Sequence, residues 1–234
     1  MKAKEVIYNL RTNLQAASSQ VKDTTDQHIM FMCDEARAKL ASQKMDAKVN
    51  VIQMIQMVDI KPIDATKAEM GTIGTSKVLK LVIPDPIAYL DGGGIITVGP
   101  TDGAENYSRI TYAQLTTVLH RKYTANSPKW FFLENAIYVI NADVEDLQKI
   151  RVRGIFDEPY RVEQAMGRYK YLTPFDWEYP ISMKDLDSVY KIAMSGDLGW
   201  GDSAVQSINA SRQKQNKDGE LLSALKNLGN AQTQ

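Results

Sequence analysis

Few side chains in this sequence offer a catalytic pairing. Cys33 with His28 or His120 could form a nucleophile and base, the thiolate attacking and the imidazole taking its proton. A catalytic thiol has to face a cleft. Cys33 instead falls in the series Ile29, Cys33, Ala36, Leu40, spaced by three and four as on the apolar face of a helix, and reads as a small core residue. One cysteine excludes an intrachain disulfide and a multi-cysteine zinc site, and neither histidine sits in a ligand spacing such as His-Glu-x-x-His.

Gly92-Gly93-Gly94 invites a phosphate-loop reading. It lacks the Gly-Lys-Ser/Thr ending whose lysine and hydroxyl address phosphate and magnesium, so a flexible hairpin tip between two β-rich runs is the expectation. Gly71-x-x-Gly74 is weaker still. Asp143, Glu145 and Asp146, and the pair Asp157 and Glu158, read as charges in turns rather than as metal ligands or acid–base groups. The sequence therefore assigns no catalytic residue, no metal site and no cofactor.

The charge balance points the same way. Lys plus Arg and Asp plus Glu both count 28 in 234 residues, which argues against the broad basic surface that sequence-independent DNA binding needs. With 44% hydrophobic residues the chain can bury a core. Its apolar runs fall far short of the roughly 20 residues that cross a bilayer, and the N-terminus has no apolar secretory region, so a protein made and kept in a cytoplasm is expected.

Elements follow from periodicity. Val6, Leu10 and Leu14 with Ile7 predict a helix over Lys2 to Ala16, and a second helix runs from Asp26, as N-cap, to about Lys44. Asp34, Glu35, Arg37 and Lys39 are expected on its solvated side. Val49 to Lys61 reads as a strand closed by Pro62, followed by a polar loop through Thr75. Val78 to Ile83, Ile95 to Val98 and Ile150 to Phe156 are further strands. Lys129 to Leu133, Glu134-Asn135 and Ala136 to Ile140 form a tight hairpin, with aromatic and β-branched residues on both arms. Thr111 to His120 is predicted as a short helix. Ser182 starts a last helix that ends at Gly196 and packs on the first two.

The expected architecture is α+β, with a helix pair plus a later helix packed together, a central, mostly antiparallel β-rich region and an extended C-terminal arm. Its segments are 1–48 (helical hairpin), 49–160 (β-rich), 161–196 (loop and returning helix) and 197–234 (polar arm). The arm's composition folds only against a partner. Leu221, Leu222, Leu225 and Leu228, spaced by one, three and three, are its candidate anchor. Trp200 and the run Gly92, Gly93, Gly94 complete the candidate assembly contacts.

The order of motifs resembles the neck, or head-to-tail connector, proteins of tailed bacteriophages of the crAss-like type. The likeness is carried by Lys2 to Arg11, Thr25-Asp26-Gln27-His28-Ile29, Ala36-Arg37-Ala38-Lys39-Leu40, Lys77-Val78-Leu79 before Ile83-Pro84, and Arg109-Ile110-Thr111 before Lys122-Tyr123-Thr124. The Trp130 to Ile140 hairpin, Val152-Arg153-Gly154-Ile155-Phe156-Asp157-Glu158-Pro159 and Glu178-Tyr179-Pro180-Ile181-Ser182 complete it. It covers about residues 1 to 195, and the tail after Gly196 is less family-like. The resemblance implies a structural, non-enzymatic virion subunit that forms a homo-oligomeric ring, a dodecamer, beneath the portal protein. Other neck or tail proteins would be its further partners, DNA would pass through the lumen, and no membrane would be involved. The alternatives are a tail-tube or stopper component, a small cytoplasmic hydrolase using Cys33 or an acidic pair, and a soluble nucleic-acid-binding module.

Overall fold

The computed structural model describes residues 1–17, 24–73, 78–87, 93–103, 105–121, 127–142, 149–167 and 175–195. The protein is α+β and divides into two compact units. One combines Met1–Ala36 with the chain from Met183 onward; the other is Arg37–Ser182.

In the first unit, α1 (Ala3–Ala17) buries Val6, Ile7, Leu10 and Leu14, as the four-residue spacing predicts. Helix α2 (Asp26–Asp46) begins there and buries Ile29, Cys33 and Ala36. Its cap is Thr25 rather than Asp26: the Thr25 hydroxyl accepts the His28 N–H at 3.3 Å. Asp26 is engaged elsewhere, by the guanidinium of Arg11, which also donates to the Thr24 carbonyl at 3.2 Å. The last helix, numbered α6 in chain order (Met183–Met194), buries Leu186, Val189, Tyr190 and Ala193. The Tyr190 hydroxyl donates to the Val6 carbonyl of α1 at 3.3 Å.

The second unit is layered. A three-stranded sheet has the order β1 (Gln56–Ile60), β8 (Ile150–Gly154), β4 (Ile95–Pro100). A five-stranded sheet has the order β2 (Ile63–Asp64), β3 (Val78–Val82), β7 (Ala136–Ile140), β6 (Lys129–Leu133), β5 (Ser108–Arg109). All pairings are antiparallel except β5 with β6. Val58, Val98, Ile150 and Val152 of the first sheet meet Leu79, Leu81, Trp130, Ile137 and Val139 of the second in one core. The opposite face of the larger sheet, Val78, Phe131, Tyr138 and Ile140, is covered by α3 (Lys67–Ile73) and α4 (Leu115–Leu119). With apolar layers on both sides, every residue of β7 is buried.

Several expectations change. The strand predicted from Val49 starts only at Gln56, because Ile52–Met54 form a 3-10 turn in which the Asn50 side chain accepts the Ile52 N–H at 2.8 Å. The predicted loop through Thr75 contains α3. Its start is a reciprocal capping box, with Thr66 N–H donating to Glu69 Oε2 at 2.7 Å and Glu69 N–H to Thr66 Oγ1 at 3.3 Å. Pro159 ends no element but opens α5 (Pro159–Ala165), where a missing N–H costs nothing. Strands β3 and β4 lie in different sheets, so Gly93-Gly94 belongs to a crossing between sheets and not to a hairpin tip. Arg37 and Asp34, expected in solvent, are both buried.

Glu69 also ties α3 to the sheet. Its Oε1 accepts Lys80 Nζ at 2.6 Å and the Tyr138 hydroxyl at 2.8 Å. The bond from Lys80, the Thr66 N–H and then the Tyr138 hydroxyl lower its pKa to about 2. Because the folded value lies below the ordinary 4.5, the stabilisation is full above about pH 5 and is lost as pH falls toward 2. A melting series between these pH values should show a slope that Glu69→Gln flattens; equal slopes would mean the tether contributes nothing.

Candidate functional site

The groups that could have done chemistry are held apart. Cys33 is fully buried, and burial first, the Asp34 carboxylate second, push its thiol far above the ordinary range. His28 is exposed on the same helix, so thiol and imidazole do not meet in a cleft. His120 is exposed at the end of α4. Glu158 accepts Arg161 Nε at 2.8 Å, and Arg161 Nη1 reaches Asp85 at 3.3 Å, so Arg161 ties the start of α5 to a neighbouring loop. The Asp157 N–H donates to the Asp85 carbonyl at 2.9 Å. Asp143, Glu145 and Asp146 lie outside the described residues, as do Trp200, Leu221, Leu222, Leu225, Leu228 and Gly92. Among the described residues no three His, Cys, Asp or Glu gather as a metal site, and no helix is long and apolar enough to cross a membrane.

The hairpin aromatics are structural. The Trp130 indole N–H donates to the Tyr107 carbonyl at 3.1 Å, and Phe131 stacks on Tyr138 at 5.5 Å. Gly94 is buried, its carbonyl accepting the Ile155 N–H at 2.8 Å, while Gly93 is half-buried.

What the surface offers instead is apolar area and charge rows. In the helical unit α1 and α6 frame an open groove of about 380 Å³, lined by Tyr8, Thr12, Met183, Leu186 and Tyr190 among others. Tyr8 is 70% and Met183 74% exposed at its rim, adding apolar surface beside the groove. Burial pushes the Tyr190 hydroxyl up to about 12, so it remains a neutral donor in that wall.

In the sheet unit the outer face of the three-stranded sheet carries Met57 (53% exposed) and Ile96 (41% exposed), with Arg151 and Arg153 between them on β8. Arg151 binds Asp59 across the ladder by two bonds, Nε to Oδ1 at 2.8 Å and Nη2 to Oδ2 at 3.1 Å. Lys61 and Lys149, each one residue beyond the paired ends of β1 and β8, are exposed. This row was missed in the sequence, although Lys149-Ile150-Arg151-Val152-Arg153 states it by strict alternation of cation and apolar residue.

No curated protein matches the chain. A family described as phage tail ring protein 2, of the crAss type, matches over residues 5–217. The match extends past the limit of residue 195 that the motifs marked, so the first part of the polar tail shares in it. A buried thiol, a Glu158 carboxylate engaged by Arg161 and large apolar side chains left at the surface suit a structural component. The chain belongs to the phage tail ring protein 2 family of crAss-like phages.

Proposed function

We propose that the chain is a subunit of a twelve-membered ring in the neck of the phage particle, joining the portal to the tail and letting DNA pass through its lumen. The family match over residues 5–217 carries the ring reading. The exposed Tyr8 and Met183 beside the α1–α6 groove support it, since a ring buries one patch of each subunit against a different patch of the next. The leucines Leu221, Leu222, Leu225 and Leu228, with Trp200, are assigned to a neighbouring subunit or ring as anchors, on their spacing in an otherwise polar segment. The family's description as a tail ring favours, as second reading, a position lower in the tail.

Native mass spectrometry of the full chain, alone and with the portal protein of the same phage, tests the proposal. A discrete ring, or a complex formed with the portal, is the expected result; a monomer indifferent to the portal overturns it. Truncation after Gly196 should leave the melting temperature unchanged and weaken assembly by about tenfold, equivalent to some 1.4 kcal/mol. Normal incorporation of the truncated chain into particles removes the anchor assignment.

A further inference from the structure

We infer that the outer face of the three-stranded sheet is a contact surface for the phosphate backbone of duplex DNA, engaged without sequence readout. Charge is segregated on this face. In a chain of zero formal net charge, Lys61, Lys149, Arg151 and Arg153 lie in or next to β1 and β8, and Asp59 is the sole acidic residue of the sheet's three strands. Asp59 is spent on Arg151, whose guanidinium it fixes by two hydrogen bonds. Lys61, Lys149 and Arg153 form no ion pair among the described residues.

The spacing favours a linear polyanion. Residues two apart on a strand are about 6.6 Å apart along it, so Lys149, Arg151 and Arg153 make a row of about 13 Å. Each DNA strand presents one phosphate per about 3.4 Å of rise, and its winding about the axis roughly doubles the direct separation, so the row matches consecutive phosphates of one strand. Ile150 and Val152 point into the core between the cations, which holds the row on a rigid ladder paired on both sides. A few phosphate contacts per subunit give weak, salt-sensitive binding. That is the contact a passing duplex needs, repeated around a ring. The choice of DNA among polyanions rests on the ring reading above; the charge row itself does not.

The test measures fluorescence anisotropy of a random duplex of about 30 base pairs with the full-length chain, between about 50 and 200 mM salt. It is repeated for the double variant Lys149→Gln/Arg153→Gln, both exposed positions outside the Asp59 clamp. The wild-type chain should show a log–log salt slope near −3, and the variant a slope smaller by about 2 with affinity at low salt reduced about tenfold. Equal slope and affinity in the two proteins overturn the inference. So does competition by polyglutamate as effective as that by unlabelled duplex of equal charge, which makes an acidic protein surface the partner. Native masses of both proteins separate this from the ring reading. Ring formation with unaltered DNA binding in the variant sinks the cation row alone. DNA binding lost in the variant without any ring in either protein sinks the ring alone. A ring lost only in the variant makes the face a subunit contact and overturns the DNA assignment.

Discussion

Replacing Arg37 by alanine should lower the melting temperature of the Arg37–Ser182 unit by about 6–12 °C, corresponding to some 3 kcal/mol for a unit of this size. Arg37 has no exposed surface. Its Nη2 donates to the Phe156 carbonyl and, at 3.5 Å, to that of Asp157, and its guanidinium lies 5.9 Å from the Tyr179 ring centre. Among the described residues no carboxylate pairs with it, and its Nε and Nη1 have no hydrogen-bond partner. Alanine forfeits a charged hydrogen bond of about 1.5–3 kcal/mol and leaves a void where several methylenes were buried, at about 0.8 kcal/mol each. It also relieves two stranded N–H groups, which returns about 1–2 kcal/mol. The loss is the larger. Methionine fills the space and carries no stranded N–H, but leaves the buried Phe156 carbonyl without its donor, so Arg37→Met should cost about 1–2 kcal/mol. Calorimetry of the three proteins decides it. An alanine variant melting within about 2 °C of the parent would mean the guanidinium holds nothing in place.

At Arg37 two signals in the sequence oppose each other. It stands four residues after Cys33 and three before Leu40, on the same stripe that identified the buried face of α2. Spacing placed it inside; residue type argued it into solvent, and the carbonyls of Phe156 and Asp157, some 120 residues away, decided the matter. Elements whose determinants are local were read well. The hairpin of β6 and β7 pairs Leu133 with Ala136 across Glu134 and Asn135, both with positive φ, 48° and 58°, the backbone of a tight two-residue turn. Helix α3 was local too, in the Thr66–Glu69 capping box, but its few apolar residues hid it.

What no local pattern carries is which strands share a sheet. β1 pairs with β8 at Val58↔Val152 and Asp59↔Arg151, and β8 in turn with β4, while β3, next before β4 in the chain, joins the other sheet. The cation row acquires its meaning from this pairing: alternation shows that Arg151 and Arg153 share a face, and only the ladder shows Asp59 beside them and Met57 and Ile96 as their neighbours. The ring assignment came from the order of motifs, and the family match confirms that recognition while extending it into the tail.

The crossing that brings β4 against β8 should be the least tolerant place in that sheet. At Gly154 a Cβ would lie 2.7 Å from the Gly94 carbonyl oxygen and 3.3 Å from Ile95 Cα, both backbone atoms. The Gly94 oxygen cannot retreat without lengthening its 2.8 Å bond from the Ile155 N–H, and β8 cannot shift away because Gly154 is also paired with Gln56 of β1. Gly154→Ala should therefore cost about 3 kcal/mol, the upper part of the range for overpacked sites, and lower the melting temperature by about 6–12 °C. Gly71, inside α3, has nothing within 4 Å of the same added atom. Alanine there meets no obstacle and restores helix propensity, so Gly71→Ala should raise stability by about 0.5–1 kcal/mol. Opposite signs for one substitution at two glycines are the expected outcome of thermal unfolding. If Gly154→Ala melts with the parent, the β4–β8 crossing is looser than its backbone distances imply, and the cation row it supports is not held rigid.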